Sequence, residues 1–132
     1  MDREDLNFRK VESYFREVVD PVIKASGYTR FEMNIETTGE TFLNSEIFHE
    51  IDRSSLVVSD LTGLRNNCFT ELGFALGAGK KVVVMAEKGT SLPFDTHALP
   101  CNFWSISRPV RALREELVAF MAKNINRRRP GE

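Results

Sequence analysis

Two carboxylates separated by a polar loop are the residues of this chain most suited to chemistry. Asp60 directly follows the apolar run Leu56–Val58, and Glu71 stands within the segment Phe69–Gly73. The surrounding pattern predicts that Glu71 falls about one turn into a helix, where free N–H groups favour an anion. A carboxylate at that place can attack, or electrostatically stabilise, an electron-deficient carbon. The same position also suits a first-turn glutamate that only complements the helix dipole, so both interpretations stay open.

Asp60 also has two possible roles. It can hold a ribose hydroxyl or orient a water molecule, or it can simply cap the turn Leu61–Gly63. In open α/β sheets, ligands bind outside the carboxyl ends of the strands. Three segments are expected to meet there: 59–63, 66–71 and the loop that holds Thr90, Ser91, Pro93, Phe94 and Asp95. The candidate substrate-binding residues are Asp60, Thr62, Gly63, Arg65, Asn67 and Phe94. Arg65 suits either a phosphate-binding cation or a side chain turned to solvent.

Other chemically capable residues predict neither a metal site nor a cofactor. Cys68 and Cys101 form no CxxC motif, and His49 and His97 are isolated. The segment Gly73–Lys80 lacks the spacing of a Walker loop and ends a helix instead of opening one. Its glycines and alanines predict close packing of that helix against a sheet. Trp104 and Phe103 are expected in the core first, and as a base-stacking platform second.

Helices and short apolar strands alternate along the chain. Strands are predicted at 30–35, 56–58, 82–85 and 102–106. Helices are predicted at 8–23, from 44 or 45 to 51, at 67–78 and at 110–125. Pro21 should interrupt the first helix, and Gly27 should end that segment. Ser107 is expected to cap the last helix, with Pro109 in its first turn. The stretch 37–43 is expected to be a loop.

This alternation predicts an α/β domain of the three-layer Rossmann or flavodoxin-like kind, with a parallel sheet and right-handed crossovers. Because the chain opens with a helix, the usual first strand of such folds is expected to be missing. The 132 residues fit one domain over 1–126, followed by a basic tail over 127–132. A homo-oligomer, or a part of a larger protein, would account for the missing strand.

The overall charge excludes a general attraction to polyanions. Lys and Arg number 18 against 19 Asp and Glu, so neither nucleic acid nor anionic lipid is an expected partner. The longest apolar run is about five residues, far short of a membrane span. The charged start of the chain does not look like a signal peptide, and the two cysteines suit a reducing compartment, so a cytoplasmic location is expected.

The order of motifs from 45 to 96 is distinctive. An acidic helix end precedes a buried strand, then come Asp60-Leu61-Thr62, an Asn-containing loop, Phe69-Thr70-Glu71-Leu72-Gly73 and a Lys-led strand. This order resembles the nucleoside 2-deoxyribosyltransferase-like superfamily and the related Toll/interleukin-receptor-like domains of bacterial defence systems. The resemblance implies cleavage or exchange of the N-glycosidic bond of a nucleoside, nucleotide or NAD. It implies that Glu71 is the nucleophile or charge stabiliser at C1′, and that Asp60 contacts the sugar.

A carboxylate beside C1′ suits this reaction, because its transition state is positive and oxocarbenium-like. The chain departs from true transferases of the superfamily at Arg65, where they carry an aspartate six residues before the glutamate. The tail 127–132 also shows no polar group like the one a partner subunit supplies to them. The expectation is therefore N-glycosidic bond cleavage by a hydrolase or a transferase, and these departures weigh against transfer between bases. The alternative is a non-catalytic nucleotide-binding or sensing module of a larger signalling or defence system.

Overall fold

A parallel three-stranded sheet forms the centre of the structure, a computed structural model that describes residues 3–28 and 45–125. The strands are β1 (Leu56–Asp60), β2 (Lys81–Glu87) and β3 (Asn102–Trp104), in the spatial order β1-β2-β3. Val58 pairs with Val83, and Met85 pairs with Asn102. Together with the surrounding helices, this sheet makes a mixed α/β structure compatible with the predicted Rossmann-like class. The predictions at 30–35, 37–43, position 44 and 127–132 lie outside the described residues.

The helices agree with the predicted pattern. They are α1 (Arg3–Tyr14), a π segment (Phe15–Val19), α2 (Asp20–Ala25), α3 (Ser45–Arg53), α4 (Asn66–Gly77) and α5 (Val110–Asn124). The predicted interruption near Pro21 takes the form of the π segment, which lies directly before α2. Proline has no N–H to donate to the carbonyl of Glu17, four residues earlier. The Nε of Arg114 on α5 donates to that carbonyl instead, at 2.8 Å.

The strands are buried because alternate residues enter two separate hydrophobic clusters. The first core cluster joins the sheet to α1, the π segment, α2 and α5, and its strand members are Leu56, Val58, Val83, Met85 and Trp104. The second core cluster joins the sheet to α3 and α4, and its strand members are Val57, Val82, Val84 and Ala86. This two-sided burial explains why β1 and β2 are continuous apolar runs rather than alternating ones. The predicted helix at 110–125 is confirmed as α5, which buries an apolar stripe of Leu113, Leu117 and Met121 in the first core cluster.

Three local predictions are wrong. Ser107 does not cap α5, because it bonds Ser105 in a turn and the cap position is taken by Pro109, which makes no side-chain cap bond. The same turn ends β3 at Trp104, two residues earlier than predicted. The predicted close packing of the glycines and alanines of α4 is right for Ala75, which is 0% exposed in the second core cluster. It is wrong for Gly73 and Gly77: both are exposed, and an added Cβ would meet no atom within 4 Å.

Candidate active site

A pocket of about 650 Å³ opens at the carboxyl ends of β1 and β2. Its volume lies in the range of roughly 300–1,000 Å³ that is usual for small-molecule sites. The lining residues are Asn7, Thr62, Gly63, Leu64, Arg65, Glu87, Lys88, Gly89, Thr90 and Ser91. We call this site the edge pocket. It contains Thr62, Gly63 and Arg65 of the predicted binding residues, together with Thr90 and Ser91 of the loop expected to converge there.

The first wall of the edge pocket is the turn that follows β1. The Thr62 N–H donates to Asp60 Oδ1 at 2.9 Å, and the Leu64 N–H donates to the Leu61 carbonyl at 3.0 Å. Gly63 has a φ of 85° and Leu64 a φ of 53°, so two successive residues are left-handed. Glycine suits the first position because a side chain there is strained. This turn leads directly into α4 and places Arg65 at its N-cap.

The second wall is the loop that follows β2, and it is bonded to the first. The Glu87 N–H donates to Thr62 Oγ1 at 2.8 Å. The Glu87 carbonyl accepts from both the N–H and the Oγ1 of Thr90, at 3.0 and 2.7 Å. The Glu87 carboxylate pairs with Lys10 Nζ of α1 at 3.2 Å. Hydrogen bonds and an ion pair therefore join the end of β2 to the turn after β1 and to α1 around the edge pocket.

The charges of the edge pocket favour a ligand of mixed character. Arg65 and Lys88 bring two cations, and Glu87 is the one carboxylate among its described lining residues. Hydroxyls of Thr62, Thr90 and Ser91 and the amide of Asn7 complete the lining. Arginine and lysine are the usual partners of phosphate, whereas a carboxylate accepts hydrogen bonds from hydroxyl donors.

Asp60 lies behind the pocket wall and is only 5% exposed. Oδ1 accepts from the Thr62 N–H, and Oδ2 accepts from the Trp104 indole Nε1 at 2.8 Å. Burial raises the pKa of Asp60 to about 6, although these hydrogen bonds oppose the rise. The turn-capping role is thus present. The contact with a ribose hydroxyl stays a prediction, and Asp60 is absent from the described residues that line the edge pocket.

A buried aromatic pair continues from Asp60 into the first core cluster. The rings of Tyr14 and Trp104 stack with centroids 4.4 Å apart and planes 7° apart, and Asn102 Nδ2 donates to the Tyr14 hydroxyl at 3.0 Å. Burial, with the Asp60 charge, raises the pKa of Tyr14. Trp104 is 1% exposed, so its predicted core role is confirmed and a base cannot stack on it, whereas Phe103 is 38% exposed and its predicted core role is wrong. Sequence spacing gives no signal for this link, because Asp60 and Trp104 are distant in the chain.

Glu71 lies about one turn into its helix, as predicted. The helix begins at Asn66, so Glu71 is in its second turn, and the first turn holds no acidic residue. The stabilising effect of the free N–H groups at a helix start falls off within the first turn, so it is weak at Glu71. Glu71 is half-buried.

Cys68 shows which predicted residues gather near the start of α4. Burial, with the charges of Glu71 and Asp60, raises the pKa of the Cys68 thiol to about 11, and Arg65 opposes that rise. The charges of Glu71, Asp60 and Arg65, three of the predicted site residues, therefore all affect the pKa of this thiol. Arg65 connects this group to the edge pocket, because it also lines the pocket.

The remaining candidates lie apart from the pocket lining. Asn67 is half-buried in the first turn of α4. Phe94 packs against the second core cluster. His49 and His97 are exposed, and the described part of the chain contains no group of three or more residues able to hold a metal ion.

Comparisons with protein-family models, with curated proteins and with solved structures give no significant match for this chain. Among the residues that the structure describes, no helix has the length and apolar character needed to cross a lipid bilayer.

Proposed function

We propose that this chain binds a nucleoside, nucleotide or NAD in the edge pocket and cleaves its N-glycosidic bond, with Glu71 as the carboxylate that acts at C1′ of the ribose. The proposal extends to the class of the domain, which we place in the nucleoside 2-deoxyribosyltransferase-like superfamily as a three-layer Rossmann-like fold without the usual first strand. A cytoplasmic location and a homo-oligomer, or a place in a larger protein, belong to the same proposal.

The observation that supports ligand binding is the edge pocket itself. It lies at the carboxyl ends of two parallel strands, which is where open α/β sheets bind ligands. Arg65 and Lys88 suit the phosphates of a nucleotide, and Glu87 with the hydroxyl residues suits its sugar. The edge pocket therefore combines a suitable size with suitable chemistry.

The cleavage step is supported by the position of Glu71 and by the resemblance at residues 69–73. Arg65, which lines the pocket, is the N-cap of α4, and Glu71 follows in the second turn of the same helix. In the reaction, the C1′–N bond breaks with its electron pair leaving on the base. The positive C1′ is stabilised by Glu71 and captured by water, which loses a proton. A purine or pyrimidine base takes up a proton as it leaves, whereas nicotinamide leaves as a neutral molecule and the proton from water passes to solvent.

Binding without cleavage is the second candidate. Glu71 is absent from the described lining of the edge pocket, and both oxygens of Asp60 are engaged inside the protein. A module that senses a nucleotide needs only the pocket walls and no carboxylate at C1′.

Chromatography of NAD and a panel of nucleosides and nucleotides incubated with the chain separates the two candidates. The expected result is release of nicotinamide or free base by the wild type and loss of release in Glu71→Gln. Glu115→Gln, at an exposed glutamate of α5, is the matched control and should keep full activity. Release that is unchanged in Glu71→Gln would overturn the cleavage mechanism, and absence of release together with nucleotide binding would leave the sensing module.

A further inference from the structure

Glu87 is unusual among the residues of the edge pocket. It is a carboxylate in a lining whose other charged members, Arg65 and Lys88, are cations. Its side chain is 22% exposed, so it is largely enclosed yet still accessible from the pocket. Its carboxylate pairs with Lys10 of α1 and also belongs to the lining of the edge pocket.

The position of Glu87 is fixed from three sides. Its N–H is bonded to Thr62 after β1, its carbonyl is bonded to Thr90, and Lys10 of α1 pairs with Oε2. An ionised carboxylate offers about four acceptor sites on its two oxygens. The contact with Lys10 uses one oxygen, so acceptor capacity remains for two hydroxyl donors of a ligand.

We propose that Glu87 determines the sugar specificity of the edge pocket: its carboxylate accepts hydrogen bonds from the vicinal 2′- and 3′-hydroxyls of a ribose, while Arg65 and Lys88 hold the phosphate. This inference rests on the proposed function, since it assumes that a nucleotide occupies the pocket. An acidic residue that holds a ribose hydroxyl is a general solution in dinucleotide-binding α/β folds.

Two exclusions follow from the charge and the acceptor-only character of Glu87. A 2′-phosphate would bring a dianion against a carboxylate, which is repulsive in a partly desolvated site. A 2′-deoxy sugar would remove one donor and leave a carboxylate oxygen without its partner, which weakens binding. The pocket should therefore prefer ribonucleotides over both analogues, and NAD over NADP.

The test is calorimetric titration of the full chain with AMP, 2′-deoxy-AMP and adenosine 2′,5′-bisphosphate, which differ only at the 2′ position. For the wild type, AMP should bind more tightly than either analogue, by on the order of tenfold or more for the loss of one charge-assisted hydrogen bond. Glu87→Gln should bind AMP more weakly and lose most of its rejection of the bisphosphate. Glu115→Gln is the control, because it removes an exposed carboxylate of α5 outside the described lining of the edge pocket, so the preference for AMP should persist.

The outcomes separate the two proposals. Equal affinity of the wild type for all three nucleotides, or an unchanged preference in Glu87→Gln, would overturn the role of Glu87 and leave the pocket assignment standing. Absence of binding for all three would overturn both. Thermal denaturation checks that each variant is folded. If Glu87→Gln is not folded, Glu87→Asp is tested instead. It should lose the preference for AMP because its shorter side chain no longer reaches the hydroxyls.

Discussion

Replacing Asp60 by asparagine should change how the stability of the protein depends on pH. Asp60 is buried, and its pKa rises to about 6 from an ordinary value of 3.8. The folded state therefore holds a proton on Asp60 more tightly than the unfolded state does. Below pH 3.8 the favourable contribution of Asp60 to the free energy of unfolding is fully present, and this contribution is lost as the pH rises through about 6.

The size of the effect follows from the shift. A difference of about two pKa units corresponds to about 3 kcal/mol, at about 1.4 kcal/mol per unit. Roughly 2 kcal/mol of this falls between about pH 7 and pH 4, so the wild type should gain that amount on acidification from this group alone. The asparagine of the Asp60→Asn variant does not titrate, so the variant should lack the gain.

The amide also changes the hydrogen bonds of the site. It supplies one acceptor oxygen, so either the Thr62 N–H or the Trp104 indole loses its partner, at a cost of about 1–3 kcal/mol. At about pH 8 this cost is offset by removing a buried charge that is worth about 3 kcal/mol, so the variant should be close to the wild type in stability. At low pH it should be clearly less stable.

Urea denaturation at several pH values, followed by the fluorescence of the single tryptophan, measures both free energies of unfolding. The difference between wild type and Asp60→Asn cancels the titration of all other groups. Asp52→Asn, at an exposed aspartate of α3, is the control and should follow the wild type. A pH-independent difference in the free energy of unfolding between wild type and Asp60→Asn would show that the pKa of Asp60 is not raised in the folded state. An advantage of the wild type that grows with pH would show that this pKa is lowered instead.

Four further substitutions test packing and backbone conformation, each by urea denaturation followed by circular dichroism and compared with the wild type. Trp104→Phe removes the indole donor to Asp60 and part of a buried side chain, so it should lower the free energy of unfolding by about 2 kcal/mol or more. An unchanged free energy of unfolding would contradict the stabilising role of the Trp104–Asp60 hydrogen bond. Gly63→Ala should cost about 1–2 kcal/mol because of its positive φ, whereas Gly73→Ala in α4 should stabilise by up to about 1 kcal/mol, and equal effects would refute the difference in backbone conformation. Arg114→Ala removes the Nε–H that donates to the Glu17 carbonyl and should lower the free energy of unfolding by about 1 kcal/mol. An unchanged stability would show that a hydrogen bond from water to this carbonyl is as favourable as the one from the guanidinium.

Strands and helices are predictable where local pattern determines them. The continuous apolar run at 56–58 and the valines at 82–84 predict buried strands, and both faces of the sheet are indeed covered by core clusters. The apolar stripe of α5 is equally clear. The predicted start of α4 is one residue late because Arg65 occupies the N-cap without a side-chain cap bond, so the usual Ser, Thr, Asp or Asn signal is missing.

The candidate site is predictable only in part. Its location follows from the rule for parallel sheets, and Thr62, Gly63 and Arg65 do line the edge pocket. The contributions of Asn7 and Lys10 depend on how α1 packs across the strand ends, which no local spacing encodes. The Asp60–Trp104 bond likewise joins residues that only the folded sheet brings together.

A heteronuclear NMR titration of the labelled chain with NAD shows whether a nucleotide-type ligand occupies the edge pocket. We expect shift changes that concentrate on the backbone amides of the two pocket walls, among them Gly63 and Gly89, while Gly77 and Gly79 at the far end of α4 stay unchanged. An absence of shifts at millimolar NAD, or shifts centred away from residues 62–65 and 87–91, would contradict this expectation.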